Sequence, residues 1–164
     1  MDQLHLHLII THLPIFGSIL GAFVLGYALL TKSHHTKKAA YFLTLFSSLG
    51  ACVSYATGEA AEEAVEKIPG VSESLIGQHE SAAVYALFAL IGLGLLALIG
   101  LGLSYSKSKY SKSVATITLL VSLVSFGLVA WTGYLGGKIR HTEINPGNLN
   151  SPSNNHEKEE KESE

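Results

Sequence analysis

Charged residues are scarce in this 164-residue chain, at 15% of the sequence, whereas 48% of the residues are hydrophobic. Soluble domains usually carry about 25% charged residues. The net charge of −2 argues against the basic surface by which proteins bind nucleic acids. The single cysteine, Cys52, excludes an intramolecular disulfide. The length is that of one domain, and its apolar residues are gathered in long blocks, which is typical of a membrane protein.

Four apolar blocks approach the length of about 20 residues that a helix needs to cross a bilayer. They cover residues 8–30, 39–56, 82–103 and 114–135. A soluble four-helix bundle is the alternative, but its helices need a polar face, which the third block lacks. The N-terminal segment has neither a basic region nor an A-x-A site, so we expect the first block to be retained. The sequence predicts an all-α, integral membrane, up-down four-helix bundle within residues 1–144.

The segment between the second and third spans has its own helical pattern. Small and apolar residues recur at helical spacing over residues 59–68, with carboxylates on the opposite stripe, and Pro69-Gly70 ends this pattern. A second short helix, over residues 72–78, is predicted to lead into the third span. Residues 145–164 are rich in Ser, Asn, Glu and Lys, so we expect a disordered polar tail.

Lysines predict the orientation of the four spans. The first and third loops each hold three lysines and no Asp or Glu, whereas the second loop is acidic. Positively charged short loops stay in the cytoplasm. The chain is therefore expected in a bacterial inner membrane with both termini on the periplasmic side. The end of the bundle opposite the lysine loops is thus expected to face outwards, and we call it the outer end.

Glycine pairs spaced four residues apart indicate close helix packing. Gly17 and Gly21 lie in the first span, and Gly133 and Gly137 lie at the end of the fourth. Small residues at this spacing let two membrane helices approach each other closely. We expect contact between the first and fourth spans, with contact between two copies in a homodimer as the alternative.

Five of the eight histidines are expected at the outer end: His5, His7, His12, His79 and His141. His12 lies inside the first span, where an ionisable group usually faces the bundle interior. It precedes Pro14, which frees a backbone carbonyl, so a hydrogen bond from His12 to the backbone or to a threonine is the alternative to a ligand role. His5 and His12 are seven residues apart, and this spacing favours His5 over His7 as the neighbour of His12.

Imidazole is a ligand for haem iron, copper, zinc and non-haem iron. His12 and His79 are candidates to hold a haem b between them, with His141 as a substitute ligand. A non-haem site of iron, copper or zinc would combine His12 and His79 with Glu59, Glu63 and Glu80. The absence of a Glu-x-x-His motif argues against a carboxylate site of the four-helix type. A third interpretation is proton or quinone chemistry without any metal, in which the histidines and carboxylates relay protons.

Several short motifs resemble those of small bacterial membrane proteins known as the domain of unknown function 2231 family. They are His7-Leu-Ile-Ile-Thr-His12-Leu-Pro14, Thr57-Gly58 at the end of the second span, His79 before the third, and the glycine-rich segment 132–138. The resemblance covers about residues 4–142. It implies a redox or haem role, because some relatives are joined to cytochrome-type domains, and it favours His7 as the partner of His12. The family's glycine after the last histidine is missing beside His141.

Two functions from different classes follow. One is a redox-associated subunit that binds haem b, or a transition metal, and works with a redox partner or in a larger membrane complex. The other is a structural or assembly subunit without any cofactor. We expect an electron-transfer or accessory subunit rather than a stand-alone enzyme, because no G-x-S-x-G motif, phosphate loop or Cys-His pair is present.

Overall fold

The structure, a computed structural model, describes residues 3–67 and 71–140. Within these ranges the chain forms six helices and no strand. They are α1 (Gln3–Ile10), α2 (His12–Thr31), α3 (His34–Ala56), α4 (Gly58–Glu66), α5 (Glu73–Tyr105) and α6 (Ser111–Arg140). The all-α helical bundle predicted from the sequence is confirmed.

In the part of the chain that the structure describes, four helical segments are long and apolar enough to cross a membrane. They are His5–Thr31, which joins α1 to α2, His34–Ala56, Glu73–Tyr105 and Ser111–Ile139. Each begins and ends close to a predicted span or extends beyond it. The largest difference is in α5, which absorbs the short helix predicted over residues 72–78. The predicted polar tail and His141 lie outside the described residues.

The outer surface of the bundle is apolar. Phe23, Leu30 and Phe88 are 67%, 84% and 68% exposed, and many other large hydrophobic side chains face outwards with them. In water these side chains would form apolar patches far larger than soluble monomers expose. Together with the four spans, this surface shows a multi-pass membrane protein whose surroundings are the lipid bilayer.

The four long helices are arranged in a ring, in which α2 packs on α3, α3 on α5, α5 on α6 and α6 on α2. Two groups of buried side chains fill the interior. One group surrounds Leu25 and Tyr41, and the other surrounds Leu90 and Leu93. The chain direction places the lysine loops at one end, called the lysine end. The opposite end, where α1, α4 and the start of α5 lie, is called the histidine end.

Glycines bring α2 and α3 together. A Cβ atom on Gly17 would lie 2.8 Å from the Cβ of Ser47, and one on Gly21 would lie 2.9 Å from the Oγ1 of Thr44. The first glycine pair therefore packs against the second span. The predicted contact between the first and fourth spans is confirmed, because α2 packs on α6. It is made at Ser18, whose carbonyl oxygen accepts from the Oγ of Ser122 over 2.8 Å, and at Gly133, whose added Cβ would lie 3.4 Å from the Cδ1 of Ile15.

The first span is interrupted at Thr11, three residues before Pro14. Proline has no backbone N–H and its ring clashes with the preceding turn, so a helix is commonly distorted just before it. The carbonyl oxygen of Pro14 accepts a hydrogen bond of 3.1 Å from the Oγ of Ser47. This bond fixes the start of α2 against α3 at the histidine end.

Candidate functional site

A cavity of about 670 Å³ opens at the histidine end and is lined by residues of all six helices, α1 to α6. This volume lies within the range of about 300–1,000 Å³ that is usual for ligand sites. The part nearest the bundle centre is apolar and includes Ala51, Leu90 and Val129, which belong to the buried core. Carboxylates of α4 and α5 line the other part. The cavity therefore combines an apolar floor with an acidic rim.

His7 lines this cavity from α1. Its Nδ1 lies 2.9 Å from the carbonyl oxygen of Ser54 and 3.2 Å from the Oγ1 of Thr57. A carbonyl oxygen can only accept, so in the neutral ring Nδ1 carries the proton and donates to Ser54. The lone pair is then on Nε2. Gly58, the residue after Thr57, also lies near this ring. A Cβ added to Gly58 would lie 3.7 Å from the Cε1 of His7, which is an ordinary van der Waals contact.

His79 lines the same cavity from α5. Its Nδ1 donates to the carbonyl oxygen of Thr132 over 3.0 Å, by the same reasoning as for His7. The ring lies against α6 where Gly136 leaves room for it. A Cβ at Gly136 would lie 3.1 Å from the Cε1 of His79 and 3.3 Å from its Nδ1.

The two histidines share one hydrogen-bonding pattern. In each ring Nδ1 is held by a backbone carbonyl of a neighbouring helix, and no described residue is hydrogen-bonded to Nε2. Histidines that bind metals nearly always donate their other N–H in this way, which fixes the tautomer and the orientation of the ring. The backbone carbonyls hold the rings of His7 and His79 in the same manner.

His12 takes a different position from the one expected. Its ring is exposed, its Nδ1 donates to the carbonyl oxygen of Leu8 over 2.8 Å, and it stacks on Phe16. This is the backbone hydrogen bond considered above as the alternative to a ligand role. His5 is exposed as well. Neither His5 nor His12 lines the cavity.

The carboxylates predicted as alternative metal ligands are all near the rim. Glu59, Glu63 and Glu80 line the cavity and are exposed. Among the residues that the structure describes, however, no three His, Cys, Asp or Glu side chains form a group suited to hold a metal ion. The rim carboxylates therefore make the mouth of the cavity negatively charged, but they are not grouped as the ligands of one metal ion.

Glu62 is a rim residue that the sequence interpretation did not select. It lies on α4, outside the spans, and lines the cavity. Burial raises the pKa of the Glu62 carboxyl, and the neighbouring charges of Glu80, Glu66 and Glu59 raise it further. In the sequence Glu62 looks like its neighbours on α4, and only the approach of α5 distinguishes it.

The segments that meet around the cavity are far apart in the chain. His7, the Thr57-Gly58 pair, His79 and the segment from Thr132 to Gly136 come from α1, the α3–α4 junction, α5 and α6. No family model, curated protein or solved structure matches the chain. The cavity and its two imidazoles are therefore the features of the molecule that bear on its function.

Proposed function

We propose that this protein is a redox-associated membrane subunit that binds haem b between His7 and His79. The observation that carries the proposal is the pair of imidazoles on one cavity, each with its Nδ1 proton donated to a backbone carbonyl. This arrangement presets the tautomer in which Nε2 is available to iron. Haem held by these two imidazoles would supply one-electron transfer, with a potential set by the two ligands and by the surroundings.

The size and lining of the cavity support a large, mainly apolar ligand. Haem needs only two protein nitrogens, which matches the absence of a third grouped ligand among the described residues. A small ion would leave most of the 670 Å³ unfilled. The apolar floor beside Leu90 and Val129 suits the faces of a macrocycle.

The acidic rim favours a second candidate, a transition-metal ion such as iron, copper or zinc. Five carboxylates line the cavity, and neither lysine nor arginine does so among the described residues. They are Glu59, Glu62, Glu63, Glu66 and Glu80. Negative charges attract a cation and oppose the propionates of a haem. The charge of the rim thus supports the ion, whereas the number of ligands and the volume support haem.

The orientation proposed with this function follows from the lysine loops. We infer that the lysine end faces the cytoplasm of a bacterium and that the histidine end faces the periplasm, in the inner membrane. The acidic rim would then be open to a periplasmic redox partner or to another subunit of a membrane complex. Of the residues that carry the resemblance to the domain of unknown function 2231 family, His7, Gly58, His79 and Gly136 line this cavity, whereas His12 does not. Membership of that family is part of the proposal.

An absorption spectrum of the purified full-length protein, with elemental analysis, tests the proposal. Haem b gives a Soret band that shifts on reduction, and the band should disappear in His7→Ala and in His79→Ala. His12→Ala is the matched control, because this histidine lies on the same span but faces outwards.

Each result leads to a different conclusion. A stoichiometric metal without a Soret band, lost in the same two variants, would favour the ion over haem. If neither is found after expression with added iron, copper, zinc and haem precursor, the redox proposal fails. A cofactor-free structural or assembly subunit then remains, and retention of a partner complex by the His7→Ala variant would support it.

A further inference from the structure

The lysine end contains a buried ammonium group that has no carboxylate partner among the described residues. Lys37 lies in the first turns of α3 and is only 8% exposed. Its Nζ donates to the Oγ of Ser111 over 3.0 Å, and this Oγ lies 3.2 Å from the Oγ of Ser104. Ser104 in turn donates to the carbonyl oxygen of Gly100 over 2.7 Å. An ammonium has three N–H donors, and one of them is used by a described residue.

The spans on either side of Lys37 provide no opposite charge. The sequence contains no Asp or Glu between residues 3 and 58 or between residues 81 and 140. The other charged groups at this end are lysines: Lys32, Lys38, Lys107, Lys109 and Lys112. A buried charge is costly unless an opposite charge accompanies it, and an ionisable group inside a membrane span usually marks a binding site.

We infer that Lys37, together with Ser104 and Ser111, binds a phosphate group from outside the chain. The position of Lys37 near the start of its span places it at the depth of lipid headgroups, so an anionic phospholipid is one source and free phosphate is the other. Basic pockets between membrane helices bind such headgroups. The Ser111 hydroxyl, which accepts from Lys37, can donate its one proton to a phosphate oxygen. The Ser104 hydroxyl can do the same only by releasing the carbonyl oxygen of Gly100. This inference does not depend on the haem or metal proposal.

The test measures the unfolding temperature of the full-length protein in vesicles. The first arm compares phosphatidylcholine vesicles with vesicles that also contain phosphatidylglycerol. The second adds inorganic phosphate to phosphatidylcholine vesicles, with chloride at equal ionic strength as the control. A ligand present at about a hundred times its Kd should raise the Tm of the unaltered protein by about 5–10 °C.

Variants identify the group that responds. Lys37→Met should lose the rise in Tm, and Lys37→Arg should keep it because the guanidinium retains the charge. Lys38→Met is the control, since Nζ of Lys38 lies 3.8 Å from the centroid of the Tyr105 ring. Among the described residues, the hydrogen bond to Ser111 comes from Lys37 instead. If Lys37→Met folds poorly, Ser111→Ala, which removes a hydroxyl and keeps the charge, should show a smaller rise than the unaltered protein.

The two arms distinguish the sources of the phosphate. A rise only with phosphatidylglycerol assigns the site to a lipid headgroup, and a rise with inorganic phosphate assigns it to a soluble anion. The inference is overturned if neither addition raises the Tm of the unaltered protein. It is overturned equally if Lys37→Met responds as fully as Lys38→Met, because the effect would then come from the general positive charge of this end.

Discussion

Replacing Gly136 with alanine should displace the His79 ring, while every polar or ionisable side chain that lines the cavity is kept. The new Cβ would lie 3.1 Å from the Cε1 of His79 and 3.3 Å from its Nδ1. These separations are tighter than ordinary contacts, so the ring must move by a few tenths of an ångström. The hydrogen bond of 3.0 Å from Nδ1 to the carbonyl oxygen of Thr132 would lengthen with it.

The expected magnitude follows from two opposing contributions. Alanine stabilises a helix by about 0.5–1 kcal/mol relative to glycine. Weakening a hydrogen bond of this kind costs up to about 0.5–1.5 kcal/mol. The net change in the free energy of unfolding should therefore be close to zero for Gly136→Ala. The neighbouring Gly137 has no atom within 4 Å of its added Cβ, so Gly137→Ala should show the helix gain alone.

The assay compares the two variants by thermal unfolding in the same vesicles. Gly136→Ala should unfold below Gly137→Ala by a difference of about 1 kcal/mol, or about 2–4 °C for a chain of this size. NMR of the labelled histidine nitrogens should show a weakened Nδ1–H bond in Gly136→Ala only. If a cofactor is bound, its affinity should fall by about 10- to 100-fold, as for other groups that orient a ligand. Equal stabilisation by both alanines, with an unchanged His79 spectrum, would refute the role given to Gly136.

Two further predictions concern helix packing and the acidic rim. Gly17→Ala should lower the free energy of unfolding by about 1–3 kcal/mol, because its Cβ would overlap Ser47 at 2.8 Å. Gly92→Ala is the control and should not be destabilised, since no atom of the described residues lies within 4 Å of its added Cβ. A loss of stability in both variants would show that the contact between Gly17 and Ser47 is not its cause. Because the pKa of Glu62 is raised in the folded state, the folded protein still holds this proton at a pH where the unfolded chain has lost it. The free energy of unfolding should therefore fall as the pH rises from the ordinary pKa of 4.5 towards the raised pKa of the folded state. Glu62→Gln should flatten this fall in unfolding experiments over that pH range, whereas the exposed Glu63→Gln should flatten it less, and identical pH profiles for all three proteins would show that Glu62 does not cause it.

Part of the candidate site could be predicted from the sequence. The sequence placed His7, His79 and the carboxylates of α4 at one end of the bundle, since the direction of each span determines which residues reach that end. It did not reveal that His7 rather than His12 lines the cavity. Both are histidines near the start of the first span, and their difference is a rotation about the helix axis. His141 lies outside the described residues, so its proposed ligand role stays a prediction.

The hydrogen-bond partners of the two imidazoles have no signature in the sequence. The carbonyl oxygens of Ser54 and Thr132 belong to the backbone, which every residue has. The resemblance to a known family did draw attention to Thr57 and to the segment around Gly136, but it gave no reason for them. Their contacts with His7 and His79 supply that reason.

The sequence by itself determined the membrane environment, the number of spans and the end at which each polar group lies. These properties depend on the length and hydropathy of each segment, which are local. Only the tertiary structure decided which face of each helix is turned inwards. A membrane helix such as α5 is apolar on all sides, so its hydrophobic pattern does not indicate its rotation. That rotation is fixed by close contacts at small residues, such as Gly17 against Ser47. The same packing turns His7 towards the cavity and His12 away from it.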